Sequence, residues 1–208
     1  VIPMGWDLAG SQPSTGLPAG FDELLAQLAG APMLLQVGTI EPRKGHADSL
    51  AAMELLWKRG SNMRLLLVGS AGWKVDDFLT KLQGHHEYGR RLFWTGRISD
   101  EALDRIYARC SGVIFPSLAE GFGLPVVEAL AHGKPVLARR LDVLEPLEGG
   151  GVTLFEPNIS HAALAETIDV WLAKSGTTEP KETPTRATWH DSAMAILRTL
   201  NDQRIDRK

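Results

Sequence analysis

The sequence predicts an α/β fold, a parallel sheet covered by helices on both faces. Three observations carry that prediction. Short runs at 63–68 and 112–115 are apolar nearly throughout rather than alternating, as strands buried on both faces must be. Amphipathic helix patterns separate these runs, which is the βαβ rhythm of a parallel sheet. Three of the runs end in glycine, at Gly38, Gly69 and Gly96, where the chain must leave the sheet and turn. Right-handed crossovers then give a doubly wound, Rossmann-like domain, and ligands in such sheets bind beyond the carboxyl ends of the strands.

The elements follow in order. Residues 22–28 read as a short helix with Leu24, Leu25 and Leu28 on one face. The first strand spans 32–37, and the loop Thr39-Ile40-Glu41-Pro42-Arg43-Lys44-Gly45 leads into a helix with Leu50, Met53 and Trp57 along one side. Gly60 closes that helix before the strand at 63–68, and a helix then reaches about Leu82. A third strand covers 91–95. Ser99 caps a helix whose first turn carries Asp100 and Glu101 and whose inner face is Leu103, Ile106 and Tyr107. After the strand at 112–115 comes a glycine-bearing loop and a helix over 126–132, stopped by Gly133 and Pro135. Strands at 135–138 and 152–155 follow, then a helix capped by Ser160 with Leu164, Ile168, Trp171 and Leu172 inward. By domain, 1–20 is expected to be a linker, 21–173 the Rossmann-like body, 174–187 an exposed linker and 188–208 a C-terminal helix.

Composition narrows the function. A chain of 208 residues, 44% hydrophobic and 23% charged, can bury a proper core. A net charge of −3 gives no electrostatic case for nucleic acid as a partner, so any basic site must be local. One cysteine, Cys110, excludes an internal disulfide and a cysteine-built zinc site, and is expected to be a packing residue. No stretch approaches the ~20 apolar residues of a membrane span.

The most informative stretch is Pro116-Ser117-Leu118-Ala119-Glu120-Gly121-Phe122-Gly123-Leu124-Pro125-Val126-Val127-Glu128. It joins a buried strand to a helix start, and Pro125 sits in a first turn where no N–H partner is needed. Glycines admit a ligand close to the backbone, and first-turn N–H groups favour an anion. Glu120 and Glu128 bracket this cradle. Each would repel a phosphate, so their natural partner is a hydroxyl, and the ligand suggested carries both phosphates and sugars. Arg43 and Lys44, at the same sheet edge, could hold a diphosphate and stabilise the charge developing on it as a leaving group.

Other sites fail on their patterns. There is no G-x-x-x-x-G-K-[ST] phosphate loop and no G-x-S-x-G elbow. Gly121-Phe122-Gly123 begins a dinucleotide fingerprint, but Val126 stands where the third glycine belongs. No Asp-x-Asp pair offers carboxylates for a metal-bound nucleotide, so no metal is expected. His85-His86 lies in a polar turn and reads as surface, and His132 as a helix-end residue. Trp57, Trp94 and Trp171 fall on core faces.

Read together, the motifs resemble the C-terminal domain of the GT-B glycosyltransferases of family 4 (group 1), retaining enzymes that use nucleotide-sugar donors. The resemblance rests on residues 37–45, on Val68-Gly69 and Gly72-Trp73, on Thr95-Gly96-Arg97-Ile98-Ser99-Asp100, and on Phe115-Pro116-Ser117 with the paired acids Glu120 and Glu128, seven residues between them. It implies that Glu120 meets donor-sugar hydroxyls and Glu128 the ribose. Arg43 and Lys44 would hold the diphosphate, helped by backbone in the 121–124 stretch, Gly121, Phe122, Gly123 and Leu124. Gly38 and Thr39 would allow close approach, and the backbone of Ile98 would face the base. Glu120, Lys44 and Arg43 are the residues implied in catalysis. The donor would be a GDP- or UDP-sugar and the leaving phosphate would assist same-face attack without a metal. The acceptor is expected to be a bacterial surface-glycan precursor, in the cytoplasm or at the inner membrane face, with a peripheral membrane contact in the full-length protein.

Residues 1–7 resemble the family's crossover, so an N-terminal acceptor-binding domain is the expected partner and this chain alone is expected to be inactive in transfer. Arg139 and Arg140 depart from the small polar stretch usual after their strand. Two other readings fit the same architecture: a non-catalytic sugar-nucleotide-binding module, or a sugar-nucleotide epimerase or phosphorylase.

Overall fold

Six parallel strands form one sheet in the order β3-β2-β1-β4-β5-β6: β1 Met33–Val37, β2 Arg64–Val68, β3 Leu92–Trp94, β4 Gly112–Phe115, β5 Val136–Arg139 and β6 Val152–Phe155. This is the doubly wound order, with the direction of winding reversing between β1 and β4. The computed structural model describes residues 15–175 and Met194, and these strands belong to one compact unit, Ser14–Lys181. The expected linker at 1–20 lies outside the described residues up to position 14, and so do the linker beyond Ser175 and, apart from Met194, the C-terminal helix.

Among the described residues six α-helices cover the sheet: α1 Phe21–Gln27, α2 His46–Lys58, α3 Asp76–Gln83, α4 Asp100–Arg109, α5 Leu124–Ala131 and α6 His161–Ser175. The strands are apolar throughout because each alternates its side chains between two cores. Leu35, Leu66, Val113 and Phe115 join one core with Ile106 and Tyr107 of α4 and Val126 of α5. Leu34, Leu65, Leu67 and Ile114 join the other with Met53 and Trp57 of α2, Leu82 of α3 and Ile168 of α6. Each such side chain removed from water contributes about 1.5–3 kcal/mol. Ser99 caps α4 as its sequence predicts, its hydroxyl accepting from Ala102 N–H at 3.2 Å. Cys110 is buried at the end of that helix, and burial pushes its thiol up to about 11.

Several boundaries differ from expectation. Helix α5 starts at Leu124, two residues before the expected 126, because Gly123 rather than the proline segment turns the chain into it. Helix α6 runs on through Lys174 and Ser175, the first two residues of the expected linker. A 3₁₀ turn at Glu145–Leu147 carries no periodicity long enough to see in the sequence. His85 is a correction: its side chain is only 7% exposed, tilted against Trp57 at 5.7 Å and paired with Glu54 at 3.3 Å, whereas His86 is exposed.

Candidate functional site

The reversal between β1 and β4 leaves a crevice at their carboxyl ends, and two loops line it. The loop after β1 passes Gly38 and Thr39, forms a bridge through Ile40 to Ala71, and tightens into a 3₁₀ turn at Pro42–Lys44. That turn brings Arg43 and Lys44 to the crevice. Beneath it, Gln36 Nε2 donates to the Lys44 carbonyl at 3.0 Å. The loop after β4 runs from Pro116 to Gly123. The two are tied directly, since Leu118 N–H donates to the Arg43 carbonyl at 2.7 Å.

The tie sets the charges. Lys44 Nζ donates to Glu120 Oε1 at 2.5 Å, with side chains 14% and 9% exposed. Arg43 Nη1 stands 3.8 Å from Glu120 Oε2, and its Nε is 2.9 Å from Glu41 Oε2. One carboxylate therefore sits between two cations. The hydrogen-bond partner of Glu120 here is Lys44 rather than the hydroxyl argued for from the sequence.

Gly123 has φ 83° and ψ 43° and caps α5 without any side-chain hydrogen bond. A left-handed residue with a side chain is strained there, and a Cβ would come 2.9 Å from Leu144 Cδ2. With no side-chain cap, the Gly123 and Leu124 N–H groups lack helical partners and form the positive end of the α5 dipole. Gly121 and Leu124 are exposed and Phe122 half-buried.

One helical turn further, Glu128 accepts a hydrogen bond from the Tyr107 hydroxyl at 3.1 Å. Burial pushes the Glu128 carboxyl above the ordinary range; Tyr107 opposes the shift, and Asp100 and Asp104 add to it. The Tyr107 phenol is driven far up, first by burial and then by Glu128. His132 stacks on the Tyr107 ring at 4.7 Å and lies 3.3 Å from Asp104, so it braces this pair from the helix end where the sequence puts it. Ile98 is half-buried on the loop after β3, three strands along from β4, and packs on the core that holds Phe115 and Val126.

The fold thus brings Arg43, Lys44 and Glu120 into contact, with Gly38, Thr39 and the 121–124 stretch on the same crevice loops. Glu128 stands behind them on α5, and Ile98 on a separate loop. Sequence reasoning missed Tyr107 and Arg139 as site-supporting groups. Tyr107 was assigned to the core by periodicity, and its polar tip was the available signal. Arg139, which departs from the small polar stretch expected after its strand, is 4% exposed and bonded beneath the Pro116 loop. Arg140 is the surface member of the pair, bonded to Glu148.

Among the described residues no cluster of three or more His, Cys, Asp or Glu side chains could hold a metal ion, and no helix is long and apolar enough to cross a membrane. A family profile described as "Glycosyl transferases group 1" matches residues 25–190. The chain belongs to the group 1 glycosyl transferases. It is 41% identical over 199 residues to the serotype-specific mannosyltransferase WbdA of Escherichia coli, which covers 95% of this chain and 24% of that protein. The chain therefore spans about a quarter of the length of this relative. The sucrose-phosphate synthase structure from Thermosynechococcus elongatus superposes with TM-score 0.73 at 28% identity, over 100% of this chain and 53% of that one. The Anabaena HepE structure in complex with UDP and glucose gives 0.69 at 23% identity, over 89% and 53%. The fold of this group 1 chain is the GT-B type of Rossmann-like domain that the sequence predicts.

Proposed function

We propose that this group 1 chain binds a nucleoside diphosphate sugar between the loops after β1 and β4, as the donor half of a retaining glycosyltransferase. The observation that carries the proposal is the pairing of Lys44 and Arg43 with Glu120 beside the uncapped start of α5. Cations and first-turn N–H groups suit a diphosphate, and a carboxylate within reach of the same lysine suits the hydroxyls of the attached sugar. In this reading Glu128 accepts from the ribose, the Ile98 backbone meets the base, and Gly38 and Thr39 leave room for the pyrophosphate.

The chemistry follows from that placement. As the glycosidic C–O bond to the diphosphate breaks, the electron pair stays on the phosphate oxygen, where Arg43, Lys44 and the Gly123 and Leu124 N–H groups stabilise it. The same oxygen accepts the proton of the acceptor hydroxyl, which attacks the face it has left, giving retention. The likeness to WbdA suggests mannose as the sugar and a surface polysaccharide as the acceptor. Acceptor recognition is assigned to a further domain of a longer protein, working at the cytoplasmic face of the membrane, so the chain alone binds donor without transfer.

Calorimetric titration with GDP, UDP, ADP and their mannose and glucose conjugates tests this. Saturable binding of one nucleotide, lost in Lys44→Ala and in Glu128→Ala, is expected. Binding that survives both substitutions, or none to any ligand, overturns the reading.

A further inference from the structure

We infer that Arg139 is a positioning residue, a clasp behind the crevice that sets the distance between the Lys44 loop and the Glu120 loop. A charged residue ending an otherwise apolar strand needs a reason, since a buried cation is costly unless it is fully paired. Arg139 uses all three guanidinium nitrogens. Nε donates to the Pro116 carbonyl at 3.0 Å, Nη2 to Asp48 Oδ2 at 2.5 Å, and Nη1 to the Pro157 carbonyl. Its guanidinium carbon lies 5.2 Å from the centre of the Phe155 ring.

Two of those partners flank the crevice. Pro116 opens the loop to Glu120, and Asp48 stands in the first turn of α2, just after Lys44 and Gly45. The same Pro116 carbonyl is pressed against Gly45: a Cβ built there would fall 2.3 Å from Pro116 O. Gly45 has φ 68°, so the backbone is turned to permit this approach. One guanidinium therefore grips the backbone before Glu120 and the helix after Lys44, where the two loops touch. The Lys44–Glu120 contact at 2.5 Å and the Leu118–Arg43 bond at 2.7 Å lie on the far side of that grip. Asp48 is held from its other oxygen by His161 Nε2 at 3.1 Å, which fixes the carboxylate that Arg139 uses. A planar fork with directed donors suits three acceptors at once, and a lysine cannot replace it.

The importance of the clasp for ligand binding rests on the donor reading; its existence does not, so two measurements are made on the 208-residue chain. Amide hydrogen exchange without ligand compares Leu118 N–H, which the clasp should protect, with Leu65 N–H, bonded to Arg91 O in the β2–β3 ladder. In Arg139→Lys, and in Asp48→Asn should the first fold poorly, exchange at Leu118 is expected to rise about tenfold relative to Leu65. Equal acceleration at both amides, or no change at Leu118, overturns the clasp. Calorimetry with GDP and UDP is then expected to show about tenfold weaker binding in Arg139→Lys. Leu92→Ala, which opens a cavity on the remote edge strand, should lower stability with affinity unchanged. Weakening of similar size in Leu92→Ala would assign the Arg139 effect to stability alone and refute positioning. Failure of the unaltered chain to bind either nucleotide would sink the donor reading while the exchange ratio still decides the clasp.

Discussion

Replacing Glu120 by glutamine should tighten binding of a free nucleoside diphosphate while weakening the preference for its sugar conjugate. Lys44 is engaged by Glu120 at 2.5 Å, and both side chains are largely shielded from water. A charge-assisted hydrogen bond of this kind contributes about 1.5–3 kcal/mol. An incoming diphosphate must draw Lys44 away or share it, and the ammonium has three donors, so about half of that energy opposes binding. Removing roughly 1.4 kcal/mol of opposition is a tenfold gain. Glu120→Gln should therefore bind the free diphosphate about three- to tenfold tighter. The glutamine still hydrogen-bonds sugar hydroxyls, but as a neutral group worth about 1 kcal/mol, so the advantage of the conjugate should fall by about tenfold.

Calorimetry at low and high salt reads both effects, and the gain should shrink at high salt as the competing charges are screened. A variant that binds the free diphosphate no more tightly than the unaltered chain would refute the reasoning. Lys44 would then not be the group the phosphates recruit, and the crevice charges would be a structural ion pair.

Three further outcomes are expected. Tyr107→Phe removes the hydroxyl on Glu128 and should weaken nucleoside diphosphate binding about two- to tenfold, with a smaller effect on 2′,3′-dideoxy analogues that lack the ribose hydroxyls; calorimetry on both decides. Gly45→Ala combines a left-handed backbone with a Cβ 2.3 Å from Pro116 O, and should cost roughly 2 kcal/mol or more, lowering Tm by about 4–8 °C in a thermal melt. His46 is held neutral, its imidazole brought down to about 4 by burial and by Lys44, so the unfolded chain binds its proton first as pH falls below 6.5. Stability should be full above pH 6.5 and drop by about 3 kcal/mol towards pH 4, with His85 acting in the same direction, and melts of His46→Phe should show the flatter profile.

The fold was legible because its strands and helices announce themselves by composition. Leu65, Leu66 and Leu67, in a short apolar run closed by Gly69, read as a strand buried on both faces, and Ser99-Asp100-Glu101 supplies the cap and first-turn acids of a helix start. That the loops after β1 and β4 gather at the carboxyl ends of the strands was legible from glycines and from the bracketed loop, whereas the strand order that reverses between them was not. The roles of Arg139 and Tyr107 were not legible, because no local pattern pairs their polar tips with Pro116 and Glu128. Periodicity states which face a side chain takes and says nothing of what its polar tip finds there. His85 shows the same limit: a polar turn in the sequence becomes a packed ring once Trp57 arrives from another helix. The early start of α5 reflects a cap set by the φ of Gly123, which residue type permits but does not dictate.

The crevice also gathers groups that the fold alone would do better without. The ionised form of Glu128 is disfavoured by burial, so its contribution to stability is largest below the ordinary carboxylate range and is lost as pH rises through its raised folded value. Gln36 Oε1 and both His46 ring nitrogens are buried without a partner. Each such group costs free energy in the ligand-free state. On the donor reading, ribose hydroxyls around Glu128 would supply hydrogen bonds to its charged form and lower that cost, and part of the affinity would come from that relief. Such relief would require a carboxylate held in place before binding. Tyr107, stacked on His132, provides that on α5, and the three-way grip of Arg139 provides it for the loops. Tyr107 of α4 and Arg139 of β5, both outside the motif, therefore hold Glu128 and the start of the Glu120 loop in the folded chain.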